Sequence, residues 1–337
     1  MIYSIAEIFF SLVIILIAAE IFTNALEHLG HKLRLSQGVT GSLFAAVGTA
    51  LPETIVPLLA IISGNNLSSH SEEIGVGAIL GAPLMLSTLS IFLMGAAVMR
   101  KRGYAGKITP EPGGFKRDTN FFLVAFILAT LAMFIPHDKI LYRQGISVIL
   151  VLLYFFYVYR TIKASSELVL EGEETQVEKP LLLSYARLPE RLITIIIQVL
   201  LGIGILLVGA FGFINGVETT SRYFGVSALL LSLIIIPIAT ELPEKINSIL
   251  WIRRGKDTLA VANITGAMVF QGTILPAIGI TLTPWEPRTE VFTGVLITLT
   301  AAFWLWFVAK KSTITVGWLG LNGLLYALYI CISLYNL

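Results

Sequence analysis

Gly48-Thr49-Ala50-Leu51-Pro52-Glu53 returns 191 residues later as Ala239-Thr240-Glu241-Leu242-Pro243-Glu244. The register still holds at Gly64 and Gly255, and Gly81-Ala82-Pro83 pairs with Gly266-Ala267-Met268 at an offset of 185. The chain is an internal duplication. Both copies lie in long apolar stretches, and each sets a proline beside a carboxylate. A proline inside a helix removes one hydrogen bond and frees the carbonyl a turn earlier. In hydrocarbon such a break survives only where it is buried in protein or lines a cavity. The repeat therefore points to a central site.

The surrounding sequence supplies the hydrocarbon. Of 337 residues, 56% are hydrophobic and only 13% charged, about half the charged share of a soluble domain. The first basic residue is Lys32, and Phe121–Pro136 and Ile193–Asn215 carry no charge. Runs of about 20 apolar residues are long enough to span a bilayer. This excludes a soluble enzyme, a disordered chain and a nucleic-acid binder, while a net charge of +2 says nothing about partners. Ten spans are predicted, near 2–26, 36–64, 73–99, 119–136, 142–163, 190–215, 224–252, 257–283, 289–309 and 314–335. Met1–Phe22 lacks a basic start and carries Glu7 and Glu20, so it reads as the first span and not a cleavable signal. Of the 23 Lys and Arg, Lys139, Arg143, Arg222 and Arg288 fall on one side and Lys245 inside a span. All the others fall on the opposite side, which predicts basic loops in the cytoplasm, both termini outside and a cell-membrane location. The expected division is 1–164 and 190–337 as five-span halves, joined by a cytoplasmic linker over 165–189. That linker holds Glu171, Glu173, Glu174 and Glu178 and reads as solvated; the loop from Arg100 to Asp118 reads as facing lipid headgroups. The lone Cys331 excludes an internal disulfide and is expected to pack in the last helix.

Five spans separate the copies, an odd number, so they enter the membrane from opposite faces. Inverted repeats with broken helices are a recurring plan of secondary transporters. The segments Thr49-Ala50-Leu51-Pro52-Glu53 and Thr240-Glu241-Leu242-Pro243-Glu244 resemble the two alpha-repeat signatures of the cation/calcium exchanger superfamily, and most closely those of its prokaryotic sodium/calcium exchangers. The resemblance implies an all-α integral membrane protein, with ten transmembrane helices as two inverted five-helix repeats and broken helices at the centre. It also implies an antiporter, not an enzyme, that exchanges calcium or a related divalent cation for sodium by alternating access. Spans one and six would slide across the rest. No cofactor is expected, and the partners are the transported ions and the lipid bilayer, with no nucleic acid and no inferable protein partner.

Glu53 and Glu244 are the central pair, because an ionised carboxylate inside a membrane is costly enough to mark function. The plain alternative is a protonated Glu hydrogen-bonded to a neighbouring helix. Two bidentate carboxylates supply four oxygens of the 6–8 that calcium takes. Pro52 and Pro243 free the carbonyls of Gly48 and Ala239. Thr49 and Thr240 add hydroxyls, though a helical Thr can equally bond back to its own backbone. The resemblance implies that both threonines and both glutamates line the ion sites, with the carbonyls of Ala46 and Pro237. The departures from the family pattern matter. It usually has Ser after each Thr, where this chain has Ala50 and Glu241; its third and eighth helices usually read Gly-Ser-Asn or Gly-Ser-Asp, where this chain has Gly81-Ala82-Pro83 and Gly266-Ala267-Met268. Asn263 keeps one amide and Gln271 replaces another a turn along. Glu241 adds a third carboxylate three residues before Glu244. Lys245 either pairs with a carboxylate as a built-in monovalent cation or, as the simpler expectation, stretches away towards water. With fewer neutral oxygens, proton coupling competes with sodium coupling. His70, Glu72 and Glu73 are expected in a solvated loop, and His28 and His31 carry no assigned role. An intramembrane hydrolase and a non-transporting ion sensor are the alternatives from other classes; a duplicated Pro-Glu pair disfavours the first, since acid and base need different environments.

Overall fold

The computed structural model describes residues 2–32, 50–67, 69–170, 177, 179–225, 229, 232–234, 237, 240–311 and 313–335. They are mostly helical. Helix α1 covers Ile2–Lys32 and α2 Leu51–Leu67. Helix α3 (Ser69–Met85) passes through a π turn, Leu86–Ser90, into α4 (Ile91–Arg102). Then come α5 (Pro112–Ala132), α6 (Ile140–Leu170), α7 (Leu192–Phe224), α8 (Leu242–Arg253), α9 (Asp257–Leu282), α10 (Thr289–Val308) and α11 (Val316–Tyr335). Among the described residues six helices are long and apolar enough to cross a membrane: Glu73–Arg102, Ile140–Ala164, Leu192–Phe224, Asp257–Leu282, Thr289–Val308 and Val316–Ser333.

Burial sorts these helices into inside and outside. The most apolar windows of the α3–α4 rod and of α9 are 78% and 83% buried, against 22% for α6 and for α11. The third and eighth spans therefore form the centre, and Ile79, Leu80, Leu86, Ile264, Ala267 and Met268 share its apolar core. Close approach there depends on glycine. A Cβ at Gly77 would sit 2.7 Å from the Leu229 carbonyl, and one at Gly81 would sit 2.4 Å from that of Leu233. Pro237 lacks the amide that would otherwise bond the Leu233 carbonyl. The π turn likewise leaves backbone to be satisfied from outside, and Asn322 of α11 donates to the Ser87 carbonyl at 2.7 Å.

At the periphery α1 and α7 pack along each other. Gly202, Gly209 and Gly212 on α7 face Phe22, Ile15 and Ser11 on α1, leaving no room for side chains between them. One end of this pair carries a buried polar knot. Gln198 Nε2 donates to the Ile21 carbonyl (2.9 Å) and to Asn24 Oδ1 (2.8 Å), and its Oε1 accepts from the Leu183 amide (2.9 Å). Asn24 in turn accepts from the Leu182 amide and donates to the Pro180 carbonyl. The stretch from Lys179 to Glu190, with a 3₁₀ turn at Leu182–Ala186, is thus strapped onto both helices. Its residues Lys179, Pro180 and Tyr185–Glu190 nevertheless stay exposed, while Glu171, Glu173, Glu174 and Glu178 lie outside the described residues; the expected linker start at 165 is corrected, since α6 runs to Leu170. His28 belongs to the same strap: it is buried, and its Nε2 lies 3.0 Å from the Lys179 carbonyl.

The loop from Arg100 to Asp118 is also corrected. Glu111 caps α5, accepting from the Gly113 amide at 2.6 Å, with Pro112 at the first helical position, so the helix starts seven residues before the expected 119. Lys107–Ile108 pairs antiparallel with Ile314–Thr315. Between them and the α8–α9 corner, turned by Gly255 at φ +80°, Arg102 grips Asp257 bidentately at 2.8 and 2.7 Å. Arg102 also donates to the Lys107 and Ile252 carbonyls, and Thr109 N donates to Asp257. Two further expectations change. Arg143 is buried and caps the end of α9 through the Ile280 and Thr283 carbonyls, and Cys331 is exposed on α11. Since Asp257 is the most buried member of its cluster, Asp257→Ala is expected to cost about 2 kcal/mol, discounted for the partly exposed arginine. The Arg102→Ala, Asp257→Ala double variant should lose less than the two singles added. Thermal unfolding in detergent reads both, and an unchanged unfolding temperature for Asp257→Ala would remove this corner as an anchor.

Candidate functional site

The two Leu-Pro-Glu segments begin helices in the same register. Ala50 and Glu241 each occupy the turn before α2 and α8, and the helices start at Leu51 and Leu242. The first helical bonds match as well: Thr54 N donates to the Ala50 carbonyl and Lys245 N to that of Glu241, both at 3.2 Å. Proline suits this first turn, where an amide would have no helical partner. In consequence the carboxylate residue falls at the third position of each helix, the end favoured for negative charge.

Glu53 is 1% exposed, and Thr240 and Glu241 are fully buried. Ala46, Gly48, Thr49 and Ala239 lie outside the described residues, as does the side chain of Glu244; its backbone lies in the first turn of α8. Among the described residues no three carboxylate, imidazole or thiol groups converge as a metal cluster. The Pro237 carbonyl is described and already engaged. It accepts from Glu241 N at 3.2 Å and from Lys245 Nζ at 3.2 Å. Lys245 Nζ also lies 3.3 Å from Glu241 Oε2, and the lysine side chain is only 4% exposed. The expectation that Lys245 reaches towards water is therefore wrong. Helical side chains lean towards the N-terminus, which carries an i+4 ammonium back over residue i. The alternative, pairing with a carboxylate, is what the structure shows, and the i, i+4 spacing of Glu241 and Lys245 in the sequence allows it.

In α3 and α9 the departures from the family pattern are buried as apolar groups. Gly81, Ala82 and Pro83 are all buried, as are Gly266, Ala267 and Met268. The two amides differ. Asn263 donates to Ser248 Oγ at 3.1 Å, and Ser248 donates to the Ala260 carbonyl, tying α9 to α8. Gln271 is fully buried, yet neither its Oε1 nor its Nε2 has a hydrogen-bond partner among the described residues. A buried polar group left so costs about 1–3 kcal/mol, a cost that water or an ion would relieve. Tyr326 of α11 was not anticipated from sequence. It stands within electrostatic reach of Glu241, and its hydroxyl makes no hydrogen bond; no charge or motif on that apolar helix signals it. At the end of the bundle near Trp285, a cleft of about 80 Å³ is lined by Glu73, Val76, Leu229, Trp285 and Arg288. Glu73 there is helical and paired with Arg288 at 2.7 Å, not part of a solvated loop; the side chains of His70 and Glu72 lie outside the described residues.

The family model described as "Sodium/calcium exchanger protein" matches residues 3–163 and 194–335. The chain belongs to the sodium/calcium exchanger family. That places it among membrane cation exchangers of the cation/calcium exchanger superfamily, which are transporters and not enzymes. Among relatives of this exchanger, a putative antiporter CaxA of Alkalimonas amylolytica is 26% identical over 276 residues, covering 80% of this chain and 77% of its own. The inner membrane protein YrbG of Escherichia coli (strain K12) is 25% identical over 289 residues, covering 85% and 82%. The exchanger fold is shared with two solved structures. An H+/Ca2+ exchanger, CAX, superposes with a TM-score of 0.76 at 18% identity over 98% of this chain and 86% of that one. The sodium-calcium exchanger NCX_Mj superposes at 0.64 with 17% identity over 98% of each.

The two amides of α9 make separable predictions. Gln271→Leu loses no protein hydrogen bond and should unfold at the same temperature or higher, whereas Asn263→Leu should lose about 1 kcal/mol through Ser248. A Gln271→Leu variant that unfolds earlier than Asn263→Leu would show that Gln271 holds the fold and not the site.

Proposed function

We propose that this protein exchanges calcium, or a related divalent cation, for sodium at a midplane site built on Glu53 and Glu244, with Glu241, Thr49 and Thr240 around them. The matched start of α2 and α8, Pro-Glu on Pro-Glu at an offset of 191 residues, carries the reading. A duplicated helix start with a carboxylate residue in its first turn supplies two equivalent half-sites, and equivalence suits one spherical ion shared between them more than an acid–base pair. In this reading the ten spans form two inverted five-helix repeats, 1–164 and 190–337, with both termini outside and the basic loops in the cytoplasm. Calcium and its counter-ion compete for the site, and the α1–α7 pair moves relative to the rest to open it to each side in turn. The Ala46, Gly48 and Ala239 carbonyls complete the shell. No cofactor takes part, because the counter-ion gradient supplies the free energy.

A second reading, proton coupling, is favoured by one observation. Ala82, Pro83, Ala267 and Met268 bury apolar groups where the family pattern carries oxygens, which leaves carboxylates as the main ion-binding chemistry. Calcium uptake into proteoliposomes, driven in turn by a sodium and by a proton gradient, separates the two. Uptake is expected under at least one gradient and lost in Glu53→Gln and in Glu244→Gln; normal transport by both variants would sink the site. The Pro83→Asn, Met268→Asp double variant should shift the balance towards sodium, and unchanged ion selectivity would remove the significance of those positions.

A further inference from the structure

The second repeat differs from the first at two linked positions. Where α2 has Ala50 and Thr54, α8 has Glu241 and Lys245. Thr54 spends its hydroxyl on its own backbone, donating to the Ala50 carbonyl at 2.8 Å. Lys245 instead lies 3.3 Å from the Glu241 carboxylate and 3.2 Å from the Pro237 carbonyl, with both side chains almost wholly buried. A carboxylate and a carbonyl are the oxygen types that a bound alkali cation would use. Here an ammonium, fixed to the chain, has both.

We infer that Lys245 is a resident cation of the exchange site and that it sets the number of charges exchanged. The inference rests on the exchanger reading above. In the site proposed above Glu53, Glu241 and Glu244 bring three negative charges, and Lys245, paired with Glu241, cancels one. The remaining charge of two is balanced by one divalent ion or by two monovalent ions. The exchange is therefore electroneutral, and this holds whether the counter-ion is sodium or a proton. A buried ion pair gained as a unit leaves the charge offered to moving ions unchanged, whereas a lone Glu241 would demand an additional cation in every state of the cycle.

The test is calcium exchange in proteoliposomes with the membrane potential clamped by potassium and valinomycin. Wild-type flux should not respond to the potential. Lys245→Gln exposes a third charge, so its flux should become voltage-dependent and change in opposite directions at opposite polarities. Voltage-dependent wild-type exchange, or a Lys245→Gln variant as insensitive as wild type, overturns the inference. A second measurement needs no transport: radioactive calcium binding to detergent-solubilised protein. Glu241→Gln leaves the ammonium uncompensated and should weaken calcium binding about tenfold through like-charge repulsion. The Glu241→Gln, Lys245→Gln double variant should recover most of that loss, and a double variant no better than the single overturns the inference. Failure of the exchanger reading looks different, since wild type would then move no calcium under either gradient.

Discussion

Charge held at full burial in an apolar bundle must be compensated on the spot, and the centre of this protein is organised around that constraint. Glu53, Glu241 and Lys245 are withdrawn from solvent almost completely. Continuous helices would bring carboxylates to the middle of the membrane but no backbone oxygen with them, because every carbonyl would already serve an amide. Proline at the second position of α2 and α8 changes this. It opens each helix beside its carboxylate residue, and ahead of α8 the Pro237 carbonyl accepts from Lys245 Nζ. The glycines of α3 bring the third span against Leu229 and Leu233 closely enough to exclude lipid, and the broken backbone is enclosed by protein as hydrocarbon requires.

Away from the centre, polar contacts sit at the bundle's ends, where water and headgroups can share them. The Arg102–Asp257 fork ties α4 to the α8–α9 corner, and Lys310 and Lys311 lie 3.4 and 3.9 Å over the rings of Trp306 and Trp318. Such aromatic and basic belts suit the bilayer interface. At the far end Arg143 caps α9 and Trp285 donates to the Ala129 carbonyl. These contacts lie apart from the buried Glu53, Glu241 and Lys245.

Much of this was legible in the sequence, for physical reasons. A 191-residue repeat of Leu-Pro-Glu in apolar runs specifies where helices restart, because proline and hydrocarbon together allow few alternatives. Glu53 could be singled out by the cost of charge in lipid alone. What escaped was contact chemistry between distant segments. Glu111-Pro112 looked like loop because a helix start in a polar stretch has no apolar period to announce it. Arg143 was only counted towards orientation and His28 was given no role, since their partners are backbone carbonyls more than a hundred residues away. Gln271 was named from spacing, but only burial without a bonding partner distinguishes it from Asn263, which is consumed by Ser248. Lys245 is the instructive miss: its i+4 relation to Glu241 was on the page, and the burial that makes the pair form was not.

The knot of Asn24, Gln198 and the strap from Lys179 to Glu190 bears on how α1 and α7 can travel. Each amide group there bonds both helices or one helix and the strap, with the glycine-lined face of α7 seated against α1. Two helices joined in this way have lost their independent coordinates. They cannot rotate or slip past one another without breaking several buried hydrogen bonds together. In the exchange cycle proposed above, the two helices would then travel as one body, with one coordinate in place of two.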